Sequence, residues 1–96
     1  MVVYLLGEIK MIKLWAKVIT DNKIRKDIIY ESADNYTRDD FFDHITEVCY
    51  KLNIPTPVLV PNHYANYEVF NMVKFLPRDF VEGVEFDRLE IENAKR

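Results

Sequence analysis

His44, His63 and the single cysteine, Cys49, are the side chains of this 96-residue chain best suited to metal ligation or nucleophilic chemistry. Their spacing argues against both. His44 and Cys49 lie five positions apart in a helical pattern, about 140° around the axis, so one ion could not easily take both. No CxxC, HxxxH or HExxH spacing occurs, and no metal or cofactor is expected. Cys49 falls late in that helix among aliphatic residues, where the helix dipole and burial oppose a thiolate, so it reads as structural. Ser32 is the only serine and lacks a GxSxG context. Gly7 and Gly83 are the only glycines, which excludes a phosphate-cradling loop. Asp39, Asp43 and Glu47 recur at i, i+4, i+8 as an acidic ridge. That ridge reads as a hydrated face balanced by Arg38 and Lys51, with a basic docking partner as its functional version. No catalytic grouping emerges, and an enzyme using His44 or His63 as general base ranks last.

Chemistry of contact is better represented. Trp15 shares one strand face with Lys13, Lys17 and Ile19, opposite Ile12, Leu14, Ala16 and Val18. An aromatic between lysines on an open sheet suits base stacking by RNA or single-stranded nucleic acid. The same residue equally suits packing beneath residues 62–80, or a dimer contact. His63-Tyr64-Ala65-Asn66-Tyr67 is a polar-aromatic cluster suited either to a protein interface or to covering a core. Charge weighs against nucleic acid: thirteen basic and sixteen acidic residues leave a net charge of −3.

Composition sets the outer limits. An apolar fraction of 49% can build the core of one domain, and one cysteine makes no internal disulfide, which suits a reducing cytoplasm. No stretch approaches the ~20 apolar residues of a membrane span. Two readings stand for residues 1–10. Gly7-Glu8 can be encoded as a purine-rich ribosome-binding sequence just before Met11, making Met11 the native start and 1–10 a translated leader. Alternatively, Val2-Val3-Tyr4-Leu5-Leu6 is an extra edge strand.

These candidates need elements to position them. Alternation from Ile12, a turn at Asp21-Asn22-Lys23 and the run Ile24 to Glu31 predict a hairpin over residues 11–31. Thr37, with Asp40 three residues on, opens a helix over 37–53. Phe41, Phe42, Ile45, Val48, Cys49 and Leu52 line its apolar face, and Asn53 before Pro55 and Pro57 ends it. Val58 to Val60, bracketed by prolines, predicts a brief third strand. Asn62 is expected to cap a second, shorter helix that offers Tyr64, Tyr67, Phe70 and Met72 for packing. Val73 to Leu76 reads as extended, Pro77 to Phe80 as a turn, and 84–92 as the final strand, bent near Asp87-Arg88. The expected fold is α+β, one domain in the order ββαβ(α)β, with a small antiparallel sheet and the long helix on one face.

The segments LWAKVITDNKIRKDI, TRDDFFDHITEVCYKLNI, VLVPN and FVEGVEFDRLEIE together resemble a family of short uncharacterised proteins of clostridial bacteria. The resemblance runs from about Met11 to Glu92. It implies a bacterial, cytoplasmic protein and brings no activity with it. The leading expectation is a non-enzymatic module that binds a protein partner or a second copy of itself, with Trp15, Tyr64, Tyr67 and His63 as contact residues. RNA or single-strand binding by Trp15, Lys13 and Lys17 is the alternative.

Overall fold

In the computed structural model, which describes residues 12–94, the alternating segment becomes β1 (Ile12–Thr20). The expectations for residues 1–10 lie outside the described residues. Asp21 and Asn22 both take positive φ (55° and 62°) and turn the chain tightly into β2 (Lys23–Ser32). Such a turn matches the twist of a hairpin, and Asp and Asn tolerate it. Pairing is antiparallel, with Leu14 opposite Tyr30 and Ala16 opposite Ile28. A register shift then sets Val18 opposite Lys26 but Ile19 opposite Ile24, leaving Arg25 as the bulged residue.

Helix α1 spans Arg38–Leu52 and is closed at both ends as its residue types imply. Thr37 Oγ1 accepts the Asp40 N–H at 3.1 Å, and Asn53 adopts the left-handed conformation at φ 59°. Lys26, on the inward face of β2, donates from Nζ to the Leu52 carbonyl at 2.8 Å, placing a cation at the negative end of the helix. The apolar stripe differs in one respect from expectation. Phe42 is exposed, whereas His44 is buried beside Phe41, Ile45 and Val48.

Beyond α1 the chain departs from the expected order. Residues 54–60 form no strand, because Pro55 and Pro57 supply no N–H for a ladder, and Val58 makes one irregular bond to the Asp79 carbonyl at 2.8 Å. Helix α2 (Pro61–Phe70) follows, with Val60 rather than Asn62 at its N-cap position. It leads through Asn71 into β3 (Met72–Phe75), a 3-10 turn at Pro77–Asp79 and β4 (Arg88–Asn93). The final strand starts four residues later than the alternation from Val84 suggested. Phe86 instead packs edge-on against Phe80, ring centroids 5.4 Å apart. The described order is therefore ββααββ, in a four-stranded antiparallel sheet running β2-β1-β4-β3.

The α+β class is the one expected, and the second, shorter helix follows α1 with no strand between them. Leu14, Ala16, Val18, Leu89, Ile91, Val73 and Phe75 project from one face of the sheet into the core. Phe41, Ile45, Val48 and Leu52 of α1 and Tyr67 of α2 meet them. Each large side chain buried in this way contributes about 1.5–3 kcal/mol. No helix among the described residues is long and apolar enough to cross a membrane.

Candidate functional site

The sheet face away from the helices carries Trp15, Lys13 and Lys17, as the alternation required. Its neighbours change its character. Register places Glu31 opposite Lys13, Asp27 opposite Lys17, and Glu92 and Glu90 of β4 opposite Trp15 and Lys17. Lys17 Nζ donates to Glu92 Oε1 at 2.7 Å, lies 3.6 Å from Glu90, and sits 4.1 Å from the centroid of the Trp15 ring. The indole N–H of Trp15 donates to Asp27 at 2.8 Å, and Lys13 lies 3.7 Å from Glu31. Burial opposes ionisation of Glu90, but the Arg88 hydrogen bond and the charges of Arg88, Lys17 and Lys74 outweigh it and hold the carboxyl below its usual range. Lys13, Lys17, Lys74 and Arg88 thus meet Asp27, Glu31, Glu90 and Glu92 on one face. The face is charge-balanced, and Lys17 already occupies one side of the indole.

The HYANY segment is divided by helix geometry. His63 and Tyr67, expected at a contact surface, lie inside, each 7% exposed. They are four residues apart on α2 and share its inward face. His63 Nδ1 accepts the Val60 N–H at 3.0 Å, which closes the N-terminus of α2 and leaves the ring proton on Nε2. That nitrogen faces Asp79 Oδ2 at 3.5 Å, and the ring packs 4.7 Å from Phe75. Tyr67 lies 4.6 Å from Phe41, and burial raises its phenol pKa. Tyr64 is half-buried, between Phe41 and the guanidinium of Arg38. Arg38 clamps the two helices by a bidentate pair with Glu68 at 2.7 and 2.8 Å, and the Tyr36 hydroxyl donates to the same carboxylate at 2.6 Å. Those hydrogen bonds, Arg38 first, depress the Glu68 pKa to about 2.

The side chains of α1 best suited to ligation or nucleophilic chemistry, His44 and Cys49, are sealed in. His44 is 4% exposed, with Nδ1 hydrogen-bonded to the Tyr30 hydroxyl at 2.9 Å and Asp34 Oδ2 lying 3.9 Å from Nε2. Burial, then the charges of Glu47 and Asp34, raises the Tyr30 pKa. Cys49 is fully buried, and desolvation pushes its pKa up to about 12. Among the described residues no group of three His, Cys, Asp or Glu side chains is placed to hold a metal ion. The acidic ridge is exposed, with Glu47 3.8 Å from Lys51.

A further surface shaped for contact lies elsewhere. Asn66, Phe70, Met72, Val73 and Lys74 line a groove of about 220 Å³, where the end of α2 meets the outer edge of β3. This is small beside the ~300–1,000 Å³ of small-molecule sites and suits one or two side chains. Phe70, which lines it, is 68% exposed. Phe70 was expected to pack but is exposed, because it ends its helix directly before left-handed Asn71. No family model, no curated protein and no solved structure matches the chain.

Proposed function

We propose that this protein is a non-enzymatic protein-interaction module that takes an extended chain along the edge of β3 and an apolar side chain into the adjoining groove. One observation carries the reading. Among the described residues, β3 is paired only with β4, and its open edge runs beside exposed Phe70 and the groove. Strand edges offer unpaired N–H and C=O groups, and addition of an extended segment to such an edge is a common mode of protein recognition. The other edge, β2, is studded with Lys23, Arg25, Lys26, Asp27 and Glu31, the usual protection against pairing. Charge balance around Trp15 ranks this reading above nucleic-acid binding. A cytoplasmic setting and kinship with short clostridial proteins belong to the same proposal.

A photoreactive phenylalanine analogue at position 70, introduced in the native cell, tests it. Protein adducts are expected there well above those from the same analogue at Tyr50, which is 81% exposed on α1. Equal or absent crosslinking at the two positions would refute the reading.

A further inference from the structure

We propose that the partner at this edge is a second copy of the chain, joined β3 to β3 in antiparallel fashion about a two-fold axis through Val73. This rests on the reading of the β3 edge as a contact surface. The first argument is backbone direction. Asn93 donates its N–H to the Asn71 carbonyl at 2.8 Å, so Asn71 and Asn93 form a hydrogen-bonded pair at the start of the β3–β4 ladder. Such pairs alternate in antiparallel sheets, so Val73 and Phe75 also turn their backbone groups toward β4. Met72 and Lys74 therefore present their N–H and C=O groups outward.

The second argument is register. Pairing about Val73 sets Met72 of each copy opposite Lys74 of the other, and all outward groups of both residues are satisfied. The methionine then lies along the aliphatic stem of the lysine rather than against a like charge. Pairing about Lys74 would oppose two ammonium groups. Pairing about Met72 would need Phe70 as a strand residue, and Phe70 is helical. Of the registers centred on Met72, Val73 and Lys74, the one about Val73 satisfies both backbone and charge.

The third argument is closure. A two-fold axis perpendicular to the sheet keeps both α2 helices on one side, with both grooves and both Phe70 rims near the axis. The charged β2 edges stay outside, so assembly stops at two copies. A four-residue edge with Phe70 falls short of the ~800 Å² per partner of a standard stable interface, so the dimer is concentration-dependent.

Sedimentation of the full chain across a concentration series should show mass rising from one to two copies. Met72→Cys and Lys74→Cys provide the register test, because buried Cys49 gives no background. A mixture of the two variants should form an intermolecular disulfide under mild oxidation, while each alone stays uncrosslinked. Lys74→Pro removes one outward N–H per copy while leaving the β3–β4 bonds, and should raise the dissociation constant roughly tenfold or more. Crosslinking of either single variant alone would overturn the Val73 register. A chain that remains monomeric throughout would overturn self-pairing. If a different protein then crosslinks at position 70, the interaction reading survives without the dimer; if nothing does, both fall.

Discussion

Lys17→Met offers a direct measure of whether the Trp15 face is a structural network or a free basic surface. Methionine keeps the apolar stem against the indole but removes the ammonium. The structure shows what is lost: a 2.7 Å charge-assisted hydrogen bond to Glu92, the nearby charge of Glu90 and a cation–π contact at 4.1 Å. Lys17 is only 8% exposed, so water replaces little of this. A hydrogen bond to a charged group is worth about 1.5–3 kcal/mol, and a cation–π contact about 0.5–1. The expected loss is therefore roughly 2–3 kcal/mol, or about 10–20 °C in Tm for a domain of this size. Denaturant unfolding of Lys17→Met, Glu92→Gln and the double variant forms the assay. The double variant should recover about 1 kcal/mol over the sum of the singles, because Glu92→Gln removes the carboxylate left unpaired. A neutral Lys17→Met with additive double-variant behaviour would refute the reasoning and return Lys17 to the surface as a free cation.

Other consequences are as specific. Cys49 should resist thiol reagents in the native state below about pH 9 and react stoichiometrically in denaturant. Its folded pKa is raised from 9.0 to about 12, so the stability its neutral form provides is present below 9.0 and lost as pH climbs toward 12. Glu68, depressed from 4.5 to about 2, acts in the opposite direction: its contribution is present above 4.5 and lost as pH falls toward 2. Glu68→Gln should flatten the acid limb of the stability curve over that window, and an unchanged acid limb would contradict the Arg38–Glu68 clamp. His63→Ala removes the acceptor for the Val60 N–H and the ring beside Phe75, and should cost about 2–3 kcal/mol in urea unfolding. His63→Asn, which restores an acceptor near Nδ1, should recover part of that loss. Both variants should keep the wild-type crosslinking pattern at position 70.

Local signals were legible wherever neighbouring residues alone decide the conformation. Thr37 and Asn53 delimit α1, Asp21-Asn22 turns the hairpin, and Ile12, Leu14, Ala16 and Val18 alternate inward, because caps, positive φ and side-chain periodicity are properties of a few consecutive residues. Tertiary structure decided what those residues face. Lys17 seemed basic in its own strand, but its charge is cancelled by Glu90 and Glu92, more than seventy positions away, through a pairing no local pattern encodes. His63 and Tyr67 joined the core because α2 turned that side toward Phe75 and Phe41, which left Phe70 and the β3 edge facing outward. Those local patterns specified the hairpin, α1 and the α+β class, but not the loss of a strand at residues 58–60. Which charges are neutralised, which aromatics are sealed and which strand edge stays open among the described residues depended on long-range packing, because burial and pairing are shared between segments.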